Sequence, residues 1–455
     1  MIGGGIAGQV TALSAVELGL DVVLLEKADR LGGSSAMSGG WFAFCGTAEQ
    51  DAHGVEDSIE RFRADLLDVG NDENDPALLC TFLEHQREAY HWLRGHGAEF
   101  GELSISSGQS VPRSHLTSIT GLLERLQRAF VEAGGVIRVN HRVTRLQRDR
   151  AGRVTGLLVE SQDGQREFAA RAGVVLATGG FSRGTDLLRV FAPEQLDAIP
   201  YGARGNTGDG LKMAWKLGAG LADMSHVSGS YGSHPETGDE FHELLTAYYL
   251  GAVVVNRNGR RFADESQDYK TLGAEVLKQP GGLGIQIFDS RVRAMSRPIP
   301  LKDIDMLESI GHVHRAETLS ALAEIVGVPG NALAQTIDRY NDAVQGAAVD
   351  EVGRRSLCNG VGELLPIDSP PYFAYPAQTL LTTTYCGVSV SPVGVVVDVD
   401  GDEIDGLFAV GEVTGGFHGA GYMTGTSLGK GVVFGRVAAR TAAARPGIRR
   451  QASHP

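Results

Sequence analysis

No run of apolar residues in this chain is long enough to cross a bilayer, which excludes a helical membrane span. Met1 is followed at once by glycines, not by a basic segment and an apolar core, so no secretory leader is expected. Cysteine is scarce. Cys45, Cys80, Cys358 and Cys386 are scattered without a Cys-x-x-Cys pair, which argues against a disulfide scaffold and predicts reduced thiols in a cytoplasmic protein. Positive charge is in deficit, 41 Lys and Arg against 55 Asp and Glu, and the net charge of −14 argues against a nucleic-acid surface. The one basic run, Arg138, Arg142, Arg145, Arg148, Arg150 and Arg153, is spread along a strand-like hairpin and reads as a solvated face. His312 and His314, two residues apart, read as surface histidines, and no metal is expected. There is no internal repeat and no low-complexity segment.

Glycine is what the chain has in excess: 62 residues, clustered in loops beside predicted strands. The densest cluster follows Gly406. Residues 407–410 read as a short buried strand, Gly411 to Gly429 as a loop with seven glycines, and the residues from Thr426 or Ser427 as the start of a helix. Such a loop lets the backbone approach a flat ligand without strain. The helix start presents unpaired N–H groups and a positive dipole end, suited to an oxygen or ring nitrogen that turns negative when a cofactor is reduced. Tyr422 lies inside this loop. The expectation is that a flavin and a substrate meet here.

At the other end, Gly3, Gly5 and Gly8 occupy the three places of the dinucleotide-binding fingerprint. A helix over 7–18 and a strand over 21–26 follow, placing Glu26 about 20 residues after the glycines, where an acidic side chain takes ribose hydroxyls. Only Met1 and Ile2 stand where a buried strand belongs, so a late start or a missing first strand is expected. A second glycine and serine loop, Arg30 to Trp41, can wrap phosphate and flavin, and no histidine between Glu26 and Gly40 offers a covalent link. The region 55–135 reads as helical, with apolar periodicity over 77–93 and 116–133. Alternating segments at 136–147 and 154–160 lead to a buried strand, 173–181, whose Ala177-Thr178-Gly179-Gly180 end brings backbone against a cofactor. Gly205 to Gly210 precedes an amphipathic helix over 211–217. Residues 253–265 read as two strands around an Asn/Gly turn, and 318–344 as two helices joined at 327–330. Strands resume at Thr382, and 444–455 reads as a frayed tail.

Taken together, Gly3 to Gly8, Glu26, Gly32 to Gly40, Ala177 to Phe181, Gly205 to Gly210, Asn256 to Glu265 and Gly406 to Ala439 resemble the fumarate reductase/succinate dehydrogenase flavoprotein superfamily, which includes the 3-ketosteroid dehydrogenases. The resemblance implies an α/β fold: a Rossmann-like FAD-binding domain in two segments, 1–227 and 366–455, with an α+β cap domain, 228–365, inserted between them. It implies non-covalent FAD held by Gly3, Gly5, Ile6, Ala7, Gly8, Glu26, Lys27, Gly33, Ser34, Ser35, Ser38, Gly39, Gly40, Ala177, Thr178, Gly179, Asp209, Gly411, Glu412, Thr426, Ser427 and Leu428, with Glu412 on the ribityl chain. Substrate would be closed between cap and flavin.

The departures select the subfamily. Where a fumarate reductase resembling this chain carries two arginines and a histidine, this sequence has Tyr269, Tyr422 and Thr383. A dicarboxylate is therefore not the expected substrate. Ketosteroid dehydrogenases carry tyrosine at both arginine places, and Phe262 to Tyr269 and Gly421 to Gly425 resemble their two motifs, with Asp264 for the usual Asn. Their third tyrosine has no counterpart placed here, and Tyr385 is a separate guess. The resemblance implies that the Tyr422 hydroxyl and Gly425 N–H hold a ketone oxygen, Tyr269 takes the α-proton and the flavin takes the β-hydride. The expected activity is α,β-desaturation of a 3-ketosteroid or smaller cyclic ketone, with an unidentified electron acceptor. The alternatives are a reductase of an enone or unsaturated acid, and a flavin-impaired protein lacking its first strand. A small keto-acid would need an added cation such as Arg113 or Arg204, and His418 reads as bonding backbone. Gly425-Thr-Ser-Leu-Gly429 matches a hydrolase nucleophile elbow, but the only later histidine is His454 in the tail, which argues against hydrolysis.

Overall fold

A computed structural model describes residues 1–238, 243–360 and 362–445; the expected tail from residue 446, with His454, lies outside these residues. They form two compact units, one of residues 1–193, 202–227 and 383–445, the other of residues 194–201, 228–238, 243–360 and 362–382.

In the first unit, parallel ladders join Val23–Leu25 to Val136–Arg138 and Val174–Leu176 to Glu403–Ala409, and Val395–Val397 adds an antiparallel edge. Residues 1–3 lie between the two halves. Ile2 bridges Leu25 on one side and Leu176 on the other. Leu25 N–H donates to Met1 O at 2.9 Å, Gly3 N–H to Leu25 O at 2.8 Å, Ile2 N–H to Val175 O at 2.9 Å, and Ala177 N–H to Ile2 O at 2.8 Å. The residues directly ahead of the fingerprint thus fill the end of the central strand, and its neighbours keep ladder partners there. The expected missing strand is corrected to this extent.

The helix Ile6–Glu17 is buried from Ile6 through Val16 because its residues are small or apolar almost all round. Thr426–Ala443 packs against it. A Cβ at Gly435 would lie 2.7 Å from Thr11 Oγ1 and 3.2 Å from Ala7 O, so the helices approach more closely than a side chain permits.

The helical reading of 55–135 needs correction. Helices Ile59–Val69, Pro76–Gly95 and Ile119–Glu132 are present. Between the last two, Leu103–Ser104 and Ser114–Leu116 form an antiparallel sheet with Trp41–Ala43. Leu116 fits the helical spacing, but pairing with Trp41 decides its state. The basic hairpin is a three-stranded meander, Arg142–Arg148, Val154–Ser161 and Gly164–Ala169, in which Arg142 pairs with Asp209 and Arg153 with Asp405.

The second unit is built on Tyr372–Leu381, a ten-residue strand absent from the sequence reading. It pairs antiparallel with Leu283–Asp289, Ser230–Ser233 and His314–Ala316, and parallel with Ile199–Pro200. Val253–Val255 extends the sheet beyond Leu283–Asp289. This pairing moves the end of the inserted unit from 365 to Thr382 and adds residues 194–201. Alternation sorts the side chains: Leu283, Ile285 and Ile287 pack with Leu322, Leu333 and Ile337, while Phe288 and Tyr375 join the opposite core with Leu272 and Val276. Among the described residues no helix is long and apolar enough to cross a membrane.

Candidate active site

The fingerprint glycines have separate reasons. A Cβ at Gly3, whose φ is +102°, would lie 2.3 Å from Ala177 O, and one at Gly8 only 1.9 Å from Gly3 O. Strand, turn and helix close only without side chains there. At Gly5 a Cβ would meet only Ser35 Oγ at 3.3 Å and Gly32 O at 3.8 Å, leaving the approach that a pyrophosphate needs. Ser35 Oγ accepts the Ile6 N–H at 3.1 Å. Ser34 Oγ accepts from Ala203 N–H at 3.1 Å and from Asn206 Nδ2 at 3.3 Å. Ser38 Oγ donates to Ser35 O at 2.8 Å. Glu26 accepts Gly4 N–H at 2.8 Å and Ala28 N–H at 2.9 Å, which fixes its carboxylate beside the turn. Lys27 Nζ donates to Thr207 Oγ1 at 2.9 Å and Asp209 Oδ2 at 3.0 Å. The structure therefore gathers residues 3–8, Glu26, Lys27, Ser34, Ser35 and Asp209. Gly40 has a packing reason of its own: a Cβ would lie 2.2 Å from Thr117 O.

The strand Val174–Leu176 runs into Ala177, Thr178 and Gly179, the last with φ +71°. Thr178 Oγ1 is buried with no hydrogen-bond partner among the described residues. Glu412, just past Gly411, accepts Thr384 N–H and Asn206 Nδ2, each at 3.0 Å. Burial pushes its carboxyl above the ordinary range against these bonds. Asn206 and Thr384 were not singled out from sequence; only coordinates bring them to Glu412.

The loop ahead of Thr426–Ala443 brings Tyr422 and Gly425 together. Gly425, the N-cap, has φ +91° and donates its N–H to the Tyr422 hydroxyl at 3.1 Å. Burial pushes the Tyr422 phenol up to about 12, against the pull of the Gly425 and Ser427 N–H groups. Thr426 Oγ1 donates to Met423 O at 2.7 Å, and Leu428 lies buried in the first turn. Tyr385 stacks on Tyr422 with centroids 4.5 Å apart and holds φ +57°, an unusual state for an aromatic residue. The ring of His418 stands edge-on to Tyr385 at 5.2 Å. Beneath the loop, buried Lys430 donates to Thr414 O at 2.6 Å, and Asp223 accepts Gly416 N–H at 2.7 Å. Burial lowers the Lys430 ammonium to about 8, with Asp223 and Glu412 opposing. Sequence reasoning missed Lys430, a lone cation in an otherwise small and apolar helix face.

Residues 1–428 match the FAD binding domain family. The chain belongs to the FAD-dependent fumarate reductase superfamily. A probable fumarate reductase of Shewanella frigidimarina is 32% identical over 450 residues, covering 97% of this chain and 74% of that relative. The open conformation of a flavocytochrome c3 fumarate reductase superposes with a TM-score of 0.82 at 31% identity, covering 97% of this chain and 77% of its own. A 3-ketosteroid-Δ4-(5α)-dehydrogenase from Rhodococcus jostii, in complex with 4-androstene-3,17-dione, gives 0.78 at 25% identity and covers 98% and 96%. The protein is thus an FAD-dependent oxidoreductase acting on CH–CH groups. The approach left at Gly5 and the partnerless Thr178 hydroxyl fit this cofactor.

Other expected site residues of the flavoprotein are placed as follows. Tyr269 opens the helix Tyr269–Leu277 in the second unit, where Asp268 caps it by accepting Lys270 N–H at 2.8 Å. Its backbone N–H donates to the Tyr249 hydroxyl at 3.1 Å, and its half-buried ring packs on the core that holds Tyr231 and Tyr248. Thr383 Oγ1 is buried without a partner among the described residues. Arg113 is not an available cation: it is fully buried and bonded to Asp57 and Asp65, each at 2.7 Å. Arg204 is exposed.

Proposed function

We propose that the protein desaturates the α,β bond of a neutral ketone, a 3-ketosteroid or smaller cyclic ketone, with FAD held non-covalently. The observation that carries this reading is Tyr422. With its pKa near 12 the phenol keeps its proton at neutral pH and can donate to a carbonyl oxygen. Its own oxygen accepts the Gly425 N–H, which polarises the O–H. The two donors assigned in parallel by resemblance stand in series here, so Gly425 acts through the phenol. A guanidinium at this place would suit a carboxylate; a neutral phenol stacked on Tyr385 suits a flat, uncharged carbonyl compound.

Bound FAD supplies the hydride acceptor. Around it, the start of Thr426–Ala443 presents a positive dipole end that favours developing negative charge. Tyr269 is assigned the proton-accepting role on the sequence resemblance alone. Non-covalent attachment is supported by the absence of histidine from residues 27 to 40. A reducing, cytoplasmic setting is supported by the scatter of the four cysteines, which include no Cys-x-x-Cys pair.

The reverse reaction, reduction of an enone or unsaturated acid, is the second reading, and the 32% identity to a probable fumarate reductase favours it. Tyr422 would hold the carbonyl in either direction. In the Tyr422→Phe variant FAD stays bound and ketone turnover falls by about 10²–10³-fold, the scale of one lost oxyanion donor. Near-wild-type turnover in that variant would discard the role.

A further inference from the structure

We infer that the second unit carries a site for a divalent transition-metal ion formed by His234, Glu236 and His312. One ligand atom from each lies within 4.8 Å of those of the other two. The sequence placed His312 beside His314 only, which gives no metal spacing. Folding brings His234 to it because Ser230–Ser233 and His314–Ala316 both pair with Tyr372–Leu381. The imidazoles of His234 and His312 lie 3.9 Å apart with planes 10° from parallel.

What stands behind His312 points to a ligand. Glu243 is 2% exposed, and one carboxylate oxygen faces both His312 Nδ1 and the Tyr375 hydroxyl, each at 2.8 Å. Its other oxygen accepts from Thr237 Oγ1 at 2.9 Å. A carboxylate on Nδ1 fixes the proton there, orients the ring and leaves the Nε2 lone pair for a metal. His234 lies buried beside His312, 8% exposed. Its Nδ1 accepts only a long bond, 3.2 Å, from the Glu236 N–H. Glu236 is exposed, so its carboxylate can turn inward at little desolvation cost.

Charge and ligand type select the ion. Two neutral imidazoles, the Glu236 carboxylate and the Glu243 carboxylate behind them balance a charge of about +2. A set of two nitrogens and one oxygen suits Zn²⁺, Co²⁺ or Ni²⁺ over Mg²⁺ or Ca²⁺, and leaves a coordination place for water. Binding requires the parallel rings to fan apart until their lone pairs converge. The competing arrangement is a plain ion pair between His312 and Glu243, with His234 stacked upon it.

The test uses the full-length holoprotein, stripped with EDTA and titrated with Zn²⁺ by calorimetry and with Co²⁺ by its visible bands to the red of the flavin. We expect one equivalent bound, a rise in melting temperature with Zn²⁺, and loss of affinity by at least about 100-fold in His312→Ala and about 10–100-fold in Glu243→Gln. Glu236→Gln, an exposed change with no folding consequence, lowers affinity and blue-shifts the Co²⁺ bands less than in wild type. No stoichiometric uptake by the wild type, or uptake unchanged in both His312→Ala and Glu236→Gln, overturns the site. Flavin absorbance and the melting curve confirm that each variant is folded.

Discussion

Two buried cations in the first unit illustrate what a single side chain can decide. Arg113 is locked between Asp57 and Asp65 and lies over the Phe62 ring at 4.4 Å. Arg113→Met leaves both carboxylates without their counter-charge and costs about 3–5 kcal/mol, read as a lower urea midpoint. Lys430 has the opposite sign of effect. Its ammonium is lowered from 10.5 to about 8, so below that pH it is charged in both folded and unfolded chains and its burial is a full burden. Between about 8 and 10.5 the folded protein sheds the proton first, and stability rises with pH by up to about 3 kcal/mol from this group. Lys430→Met removes that rise, so denaturation midpoints of the variant at pH 7 and pH 10 differ by less than those of the wild type. Tyr422 and Glu26 were readable in the sequence because a local motif fixes their place. Lys430 was not, because a lone cation in a helix pattern gives no sign that it is buried, and His234 was not, because His312 lies far along the chain and only the fold brings them together.

Elements with local punctuation were readable, and elements defined by long-range pairing were not. The helices Leu319–Val326 and Gly330–Val344 match the expected pair, capped by Thr318, whose side chain accepts Ala321 N–H at 3.2 Å, and ended by Gly327 at φ +69°. Tyr372–Leu381 escaped detection because Pro376 breaks its pattern. The structure tolerates that proline because one edge of the strand pairs with His314–Ala316 over 372–374 and with Ser230–Ser233 over 378–380. Pro376 falls in the gap between them. The fingerprint helix and the C-terminal helix were both expected, but their closeness was not. Gly435→Ala gains about 1 kcal/mol of helix propensity. It also drives a methyl to 2.7 Å from Thr11 Oγ1. Overpacking of about 1–3 kcal/mol therefore prevails, and we expect a lower melting temperature and weaker FAD retention.

For the molecule as a whole, the α/β flavoprotein class and the superfamily were present in the order of the glycine motifs. The inserted unit was placed with its return too early, because the strand that closes it carries no clean alternation. The proposed substrate class rests on Tyr269 and Tyr422, which stand where the resemblance implies guanidinium groups in a fumarate reductase. The most direct measurement is the anaerobic visible spectrum of the purified holoprotein during titration. A neutral cyclic ketone or 3-ketosteroid should bleach the oxidised flavin in the wild type and fail to do so in Tyr422→Phe with FAD still bound. Reoxidation of the reduced flavin by fumarate, with no response to any neutral ketone or enone, would contradict the account.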